Sequence, residues 1–176
     1  MPGFALKRIE TLDIPANVRP MLAAVGWHSG RHIDVDARVP LFHPAHGILK
    51  EFGGLHIGRC GPGSECATSD LEFGFCEEAD REVGSIWSEL LKSKLIAVAE
   101  VHHRHGWLLV DETGRCFGAS QIHDAFYYEG PNFGVGLESL LIGRKARPML
   151  RPDQHQLDLY GKTFYRGDAA IFNHCQ

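Results

Sequence analysis

The spacing of apolar residues along the chain predicts four helices. The clearest pattern covers residues 80–91, where one apolar stripe consists of Val83, Ile86, Trp87, Leu90 and Leu91. The same kind of spacing predicts helices over residues 17–25, 40–52 and 133–144. Pro44 lies inside the second of these, and because proline is tolerated in a first turn, it can mark a late helix start.

Strands are predicted between and after these helices. Residues 95–101 are apolar except at Glu100, as expected of a central strand that is covered on both faces. The turn at residues 111–114 is typical of a hairpin, because Gly114 can adopt a positive φ. The other predicted strands cover residues 55–59, 71–75, 107–110, 115–119, 124–128, 157–160 and 163–166. Helices come first and strands with interleaved helices follow, so the predicted fold class is α+β.

Eight residues are expected to have structural roles. Trp27 is interpreted as a core tryptophan that is shielded by the aliphatic stem of Arg31. Gly53 and Gly54 follow Phe52 and are expected to end a helix. The rest of this structural set consists of Trp87 in the apolar stripe and of Asp111 and Gly114 in the hairpin turn.

Three regions are predicted along the chain. Residues 1–15 contain two prolines and no periodicity, so they are expected to be an irregular lead-in. Residues 16–144 carry most of the predicted elements and form a single domain. The sequence then becomes more polar and contains Arg-Pro pairs, so residues 145–176 are expected to be a C-terminal arm or extension.

Composition narrows the class of protein. The 176 residues are 44% hydrophobic and 23% charged, which is ordinary for a globular domain. With 18 basic and 22 acidic residues the formal net charge is −4, which argues against a dedicated nucleic-acid-binding protein and fits a basic protein partner. The apolar runs are too short to cross a membrane, and five cysteines without a visible leader favour reduced thiols in the cytoplasm.

The sequence lacks the common signatures of catalysis. It contains no Gly-x-Ser-x-Gly elbow and no Walker-type glycine loop. It also lacks the His-x-Glu and Pro-Cys-x-x-Cys pattern of zinc deaminases. We therefore predict no catalytic residue and no cofactor.

Four blocks of sequence together resemble a known family. They are LAAVGWHSGR at residues 22–31, LKEFGGL at 49–55, WLLVDETGRCF at 107–117 and LESLLIG at 137–143. Each block alone is common, but four of them in this order and at these separations are specific. The region 16–144 thus resembles the third subfamily of the SUKH superfamily, the immunity proteins of bacterial polymorphic-toxin systems.

The resemblance implies a fold and a function. The fold would be a single α+β domain in which a mostly antiparallel, curved sheet is flanked by about four helices. The function would be to bind and neutralise a cognate toxin polypeptide, often a nuclease or deaminase, by non-covalent occlusion in the cytoplasm. An enzyme is not expected, and neither nucleic acid nor a membrane is expected as a partner. The protein is expected to be a monomer or a weak homodimer.

Acidic and aromatic residues are candidate contacts for that partner, because interfaces use aromatic anchors and complementary charge. The ordinary interpretation of the acidic tract at residues 70–80 is a solvated face. Tyr127 and Tyr128 are adjacent near the end of a predicted strand, so at most one of them can be a surface anchor. The candidate partner-binding residues are Asp70, Glu72, Asp124, Tyr127, Tyr128 and Glu129.

A metal site is the main alternative. Histidines at positions 102, 103 and 105 accompany Cys60, Cys66, Cys76 and Cys116, but no two cysteines have the close spacing of a structural zinc site. His103 and His105 would share one face of a strand and could chelate a metal with a third ligand from elsewhere. A polar turn between two strands is the favoured interpretation. The alternatives are therefore a small metal-dependent enzyme that uses these histidines, or a general peptide-binding module with the same fold.

Overall fold

The computed structural model describes residues 12–174 of the chain. Residues 1–11, most of the predicted lead-in, lie outside the described residues. Residues 12–15 contain no helix or strand, and the side chain of Ile14 is buried in the core. The lead-in is therefore irregular where it is described.

Seven antiparallel strands form the main sheet, and their spatial order is the order of the sequence. The strands are β1 (His56–Gly61), β2 (Thr68–Phe73), β3 (Ile96–Val101), β4 (Gly106–Val110), β5 (Cys116–Ser120), β6 (Phe126–Gly130) and β7 (Arg147–Met149). A separate hairpin pairs β8 (Gln156–Leu159) with β9 (Lys162–Tyr165). The predicted α+β class and antiparallel sheet are confirmed.

Four helical segments accompany the sheet in residues 12–174. They are α1 (Arg19–Ala24), α2 (Pro44–Phe52), a segment that joins α3 (Glu77–Ala79), a π-helical turn (Asp80–Gly84) and α4 (Ser85–Leu91), and finally α5 (Phe133–Ile142). The late start at Pro44 is confirmed, because the ring of His43 accepts a hydrogen bond from the amide of Ala45 and begins α2 there. The segment after α2 turns sharply at Gly54, which has a φ of +79°.

Helices α1, α2 and α5 cover one face of the sheet. Phe52 is fully buried at the centre of this layer, with its ring centroid 5.1 Å from that of Phe73 and 5.0 Å from that of Phe133. Trp27 stacks on Phe52 at 5.8 Å, and Arg31 donates hydrogen bonds to the carbonyls of Glu51 and Gly53. Trp27 is half-buried and packs at the edge of the core.

The opposite face is covered only in part. Trp87 of α4 lies against β6, where its ring stacks on Phe126 with centroids 4.2 Å apart. Trp87 and Trp107 are both 2% exposed in this second layer. Over β1, β2 and β3 the same face carries polar side chains instead, and it is here that the candidate site lies.

The hairpin predicted at residues 111–114 joins β4 and β5 as expected. The fully buried carboxylate of Asp111 accepts hydrogen bonds from the amides of Thr113 and Arg115, and it pairs with the Arg115 guanidinium at 2.7 Å. Gly114 has a φ of +90°. The Asp111 carboxylate and the positive φ of Gly114 thus shape this turn.

Residues 145–174 pack against the domain. Arg147–Met149 is the seventh strand of the main sheet, so the fold extends beyond the boundary at 144 that the sequence suggests. The chain then returns, and Phe172 donates its amide to the carbonyl of Pro148 and stacks on Tyr128 with centroids 4.1 Å apart. Backbone pairing, which composition does not reveal, makes this segment part of the domain.

Candidate functional site

A polar surface lies over β1, β2 and the Glu100 end of β3, beside the part of this face that the α3–α4 segment covers. In the antiparallel register, His56 of β1 is opposite Glu72 of β2, and Glu72 is opposite Glu100 of β3. Residues directly opposite each other share a face, and Asp70 lies two positions from Glu72 on that same face. We call these four residues, His56, Asp70, Glu72 and Glu100, the acidic sheet face.

Asp70 is the centre of the acidic sheet face, and its side chain is only 6% exposed. Its carboxylate lies 3.0 Å from Nε2 of His56, accepts the amide of His103 at 2.8 Å, and accepts the thiol of Cys60 at 3.4 Å. Burial opposes ionisation, but the hydrogen bonds from the His103 amide, from His56 and from Cys60 outweigh it and lower the pKa of Asp70 to about 2. The carboxylate is therefore charged at neutral pH.

The β3–β4 turn has an unusual backbone. His102, His103 and Arg104 are consecutive and have φ values of 52°, 54° and 65°. Residues other than glycine rarely occupy this left-handed region, and a run of three is costly. Hydrogen bonds hold the turn in place, because the amide of His102 donates to Oγ of Ser69 and that of His103 donates to Asp70. The predicted polar turn is thus present, and it places the His103 ring beside Asp70.

One arginine spans the outer part of the acidic sheet face. Arg104 pairs with Glu72 at 2.6 Å and approaches Glu100 at 3.6 Å. The hydrogen bond from Arg104 lowers the pKa of Glu72. Three carboxylates and one guanidinium give this surface an excess of acidic groups.

The sequence-derived contact residues fall into two places. Asp70 and Glu72 belong to the acidic sheet face, whereas Asp124 lies in the turn before β6 and pairs with Arg151. Tyr127 and Glu129 are buried, with exposed fractions of 6% and 7%, so they are not part of an open surface. Tyr128 is half-buried between Phe117 and Phe172.

The structure also reveals contact candidates that the sequence interpretation missed. Leu41 and Phe42 are 82% and 87% exposed, although their neighbour His43 is buried. Nε2 of the His43 ring donates a hydrogen bond to the carbonyl of Lys94 at 2.9 Å. Leu41 was expected on the apolar side of a helix over 40–52. Because α2 begins at Pro44, both side chains instead belong to the preceding loop and point away from the core. The proline was the signal that could have placed them.

Metal-ligating side chains come together at Asp70, but in a different set from the predicted one. Two groups of three possible ligands occur in the described part of the chain: Cys60 with Asp70 and His103, and His56 with Asp70 and Glu72. Neither group contains His105, which is exposed in the turn. Cys66, Cys76 and Cys116 are also outside both groups. His103 thus joins residues of β1 and β2 in a ligand group that does not include His105.

None of the helices in residues 12–174 is long and apolar enough to cross a membrane. Comparison with curated proteins and with solved structures gives no match. A family model described as SUKH-3 immunity protein matches residues 14–143, about three quarters of the chain. The four sequence blocks that suggested this family all lie in the matched region. The chain therefore belongs to the SUKH-3 immunity protein family.

Proposed function

We propose that this protein binds a cognate toxin domain of the nuclease or deaminase type and neutralises it by covering its working surface. The observation that carries the proposal is the family match over residues 14–143, since immunity proteins act on a toxin partner. The proposal assigns no reaction and no cofactor to the chain. It describes a monomer or weak homodimer that acts in the cytoplasm, where a toxin would otherwise meet its target.

The acidic sheet face is the proposed contact surface. Nucleases and nucleic-acid deaminases bind a polyanion, so their substrate-binding surfaces are basic. A negative surface on the partner accelerates encounter and sets orientation. Of the contacts suggested by the sequence, Glu72 is partly exposed in this surface, together with Glu100, whereas Asp70 is buried beneath it and contributes only its charge.

An apolar anchor for the same toxin domain is proposed at Leu41 and Phe42. Large exposed apolar side chains are uncommon in pairs, and interface energy is concentrated in a few aromatic or arginine anchors. The loop is held by the hydrogen bonds of His43 at 3.1 Å to the Ala45 amide and at 2.9 Å to the Lys94 carbonyl. A fixed loop loses little entropy on binding, which favours such an anchor.

The test uses the toxin domain encoded directly upstream of this chain. Co-expression should rescue growth of cells that produce the domain, and the two proteins should co-purify. The double variant Glu72→Gln/Glu100→Gln should associate on the order of tenfold more slowly at low salt, because electrostatic steering is reduced. The matched control is Glu82→Gln/Glu89→Gln, which removes the same charge from two exposed positions, one in the π-helical turn and one in α4. This control should associate at the wild-type rate.

Two outcomes would contradict the proposal in different ways. If the chain neither rescues growth nor binds the upstream domain, the immunity function is wrong. If both double variants associate at the same rate, the function stands but the acidic sheet face is not the contact surface. Circular dichroism of each variant should match the wild type before the rates are compared.

A further inference from the structure

Three metal-ligating side chains converge on the carboxylate of a fourth, Asp70. His56 and Cys60 lie on β1, Asp70 lies on β2, and His103 lies in the β3–β4 turn. Asp70 Oδ2 is 3.0 Å from Nε2 of His56 and 3.5 Å from Nδ1 of His103, and Asp70 Oδ1 is 3.4 Å from Sγ of Cys60. The ligand atoms of Cys60, Asp70 and His103 all lie within 4.8 Å of one another.

These separations suit a small divalent ion. Zinc binds sulfur at roughly 2.3 Å and nitrogen or oxygen at roughly 2.0–2.2 Å, so tetrahedral ligand atoms lie on the order of 3.5 Å apart. The distances from Asp70 to its three neighbours fall in this range. Thiolate, imidazole and carboxylate together favour zinc, since hard ions such as Mg²⁺ and Ca²⁺ select oxygen ligands alone.

The backbone holds the ligands in position before any ion binds. Cys60 lies within a β-bulge between Gly58 and Gly61, and Gly58 has a φ of +78°. His103 lies in the run of three left-handed residues, and its own amide bonds the carboxylate that its ring faces. Strain of this kind persists where the surrounding structure enforces it and often accompanies a functional site.

We propose that Cys60, Asp70 and His103 bind one Zn²⁺ ion, with the fourth position open to solvent. On binding, the Cys60 thiol loses its proton to solvent, and the metal–sulfur bond replaces the hydrogen bond to Asp70. The ion links the edge strand β1 to the β3–β4 turn across β2. His56 and His103 are more than half exposed, with side-chain fractions of 57% and 68%, so the site opens onto the acidic sheet face. The site shares Asp70 with the proposed contact surface, and its formation requires no reaction.

The experiment is a zinc titration of the full chain, purified with a chelator, freed of metal and kept reduced with a phosphine. One equivalent of Zn²⁺ should bind and should raise the melting temperature of the protein, because an ion that binds only to the folded state stabilises that state. Substitution with Co²⁺ should give the thiolate-to-cobalt charge-transfer band and the visible bands of a tetrahedral ion.

Matched variants identify the ligands. Cys60→Ser should abolish the charge-transfer band and weaken Zn²⁺ binding at least tenfold. The control Cys66→Ser removes a thiol of the connection between β1 and β2 that lies outside the ligand group, and this variant should bind Zn²⁺ like the wild type. His103→Asn, whose side chain tolerates the left-handed backbone, should also weaken binding at least tenfold, whereas His105→Asn should not.

Three results would overturn the site: less than one equivalent of bound Zn²⁺, a cobalt spectrum without the thiolate band, or equal affinities for the Cys60 and Cys66 variants. Asp70 is not substituted, because it also holds the β3–β4 turn. If Cys60→Ser does not fold, the zinc affinities of His103→Asn and His105→Asn are compared instead, since both side chains are exposed. Equal affinities of these two variants would then overturn the site.

Discussion

The carboxylate of Asp124 forms a two-point ion pair with the guanidinium of Arg151, with Oδ1 2.6 Å from Nη1 and Oδ2 2.7 Å from Nη2. Gln154 also donates to Asp124. The pair joins the turn before β6 to the chain that follows β7. Asp124 lies in the turn before β6 and is not part of the acidic sheet face.

Asp124→Asn therefore tests whether the turn before β6, and not only the acidic sheet face, contacts the toxin domain. The side chain of Asp124 is 70% exposed, and exposed ion pairs contribute about 0–1 kcal/mol, so the free energy of unfolding should fall by less than about 1 kcal/mol. The association rate with the toxin domain at low salt should stay at the wild-type value. Stopped-flow kinetics measures the association rate, and urea unfolding measures the stability. A several-fold slower association would show that Asp124 is part of the interface.

Trp87 and its neighbour Ile86 provide a matched pair for stability. Trp87 is 2% exposed and stacks on Phe126, whereas Ile86 is 47% exposed on the other side of α4. Trp87→Ala should lower the free energy of unfolding by about 3–5 kcal/mol, because it removes a buried aromatic and leaves a cavity. Ile86→Ala should cost less than about 1 kcal/mol. Similar losses in urea unfolding would mean that α4 does not pack on the sheet as described.

Glu129 makes stability depend on pH. Its side chain is buried, its Oε2 has no hydrogen-bond partner in residues 12–174, and burial raises its pKa to about 8. In the unfolded chain the pKa is about 4.3, so between these values the folded protein holds a proton that the unfolded chain has lost. The stabilising contribution of Glu129 is complete below about pH 4 and is lost as the pH rises towards 8.

Glu129→Gln should remove this dependence, since the amide is neutral at every pH and has nearly the same shape. Relative to the wild type, the variant should gain about 1.4 kcal/mol for each pH unit from 5 to 8. Urea unfolding at pH 5, 6.5 and 8 measures the difference. Parallel curves for the two proteins would show that Glu129 is ionised in the folded state.

The helices and the β4–β5 hairpin could be predicted from the sequence because they depend on local patterns. Trp87 of the predicted apolar stripe is buried, but Ile86 of the same stripe is 47% exposed, so the pattern predicted the helix and only part of its buried side. The contact residues near β6 were harder to predict, because the strand predicted over 124–128 is observed two residues later, at Phe126–Gly130. The observed strand includes Glu129, whose Cβ lies 3.8 Å from the position that a Cβ on Gly136 of α5 would occupy. Only this packing shows that the carboxyl is buried.

The cluster around Asp70 could not be predicted from spacing. Its members lie in three elements, from His56 to His103, and the antiparallel register alone brings them together. The sequence offered His103 with His105, two positions apart, as ligands on a strand. In the structure both residues belong to a turn, where alternation of faces does not apply.

Phe42 can be substituted to test binding without a large effect on folding, because its side chain is almost fully exposed. The side chain is 87% exposed, so Phe42→Ala should change the free energy of unfolding by less than about 1 kcal/mol. If Phe42 inserts into the toxin domain, its loss should cost about 2 kcal/mol or more of binding free energy, mostly as faster dissociation. The control Tyr165→Ala removes another exposed aromatic, 55% exposed on β9, and should leave the dissociation rate unchanged. Surface plasmon resonance with the immobilised toxin domain gives both rates, and equal dissociation of the two variants would exclude the loop at Leu41 and Phe42 from the interface.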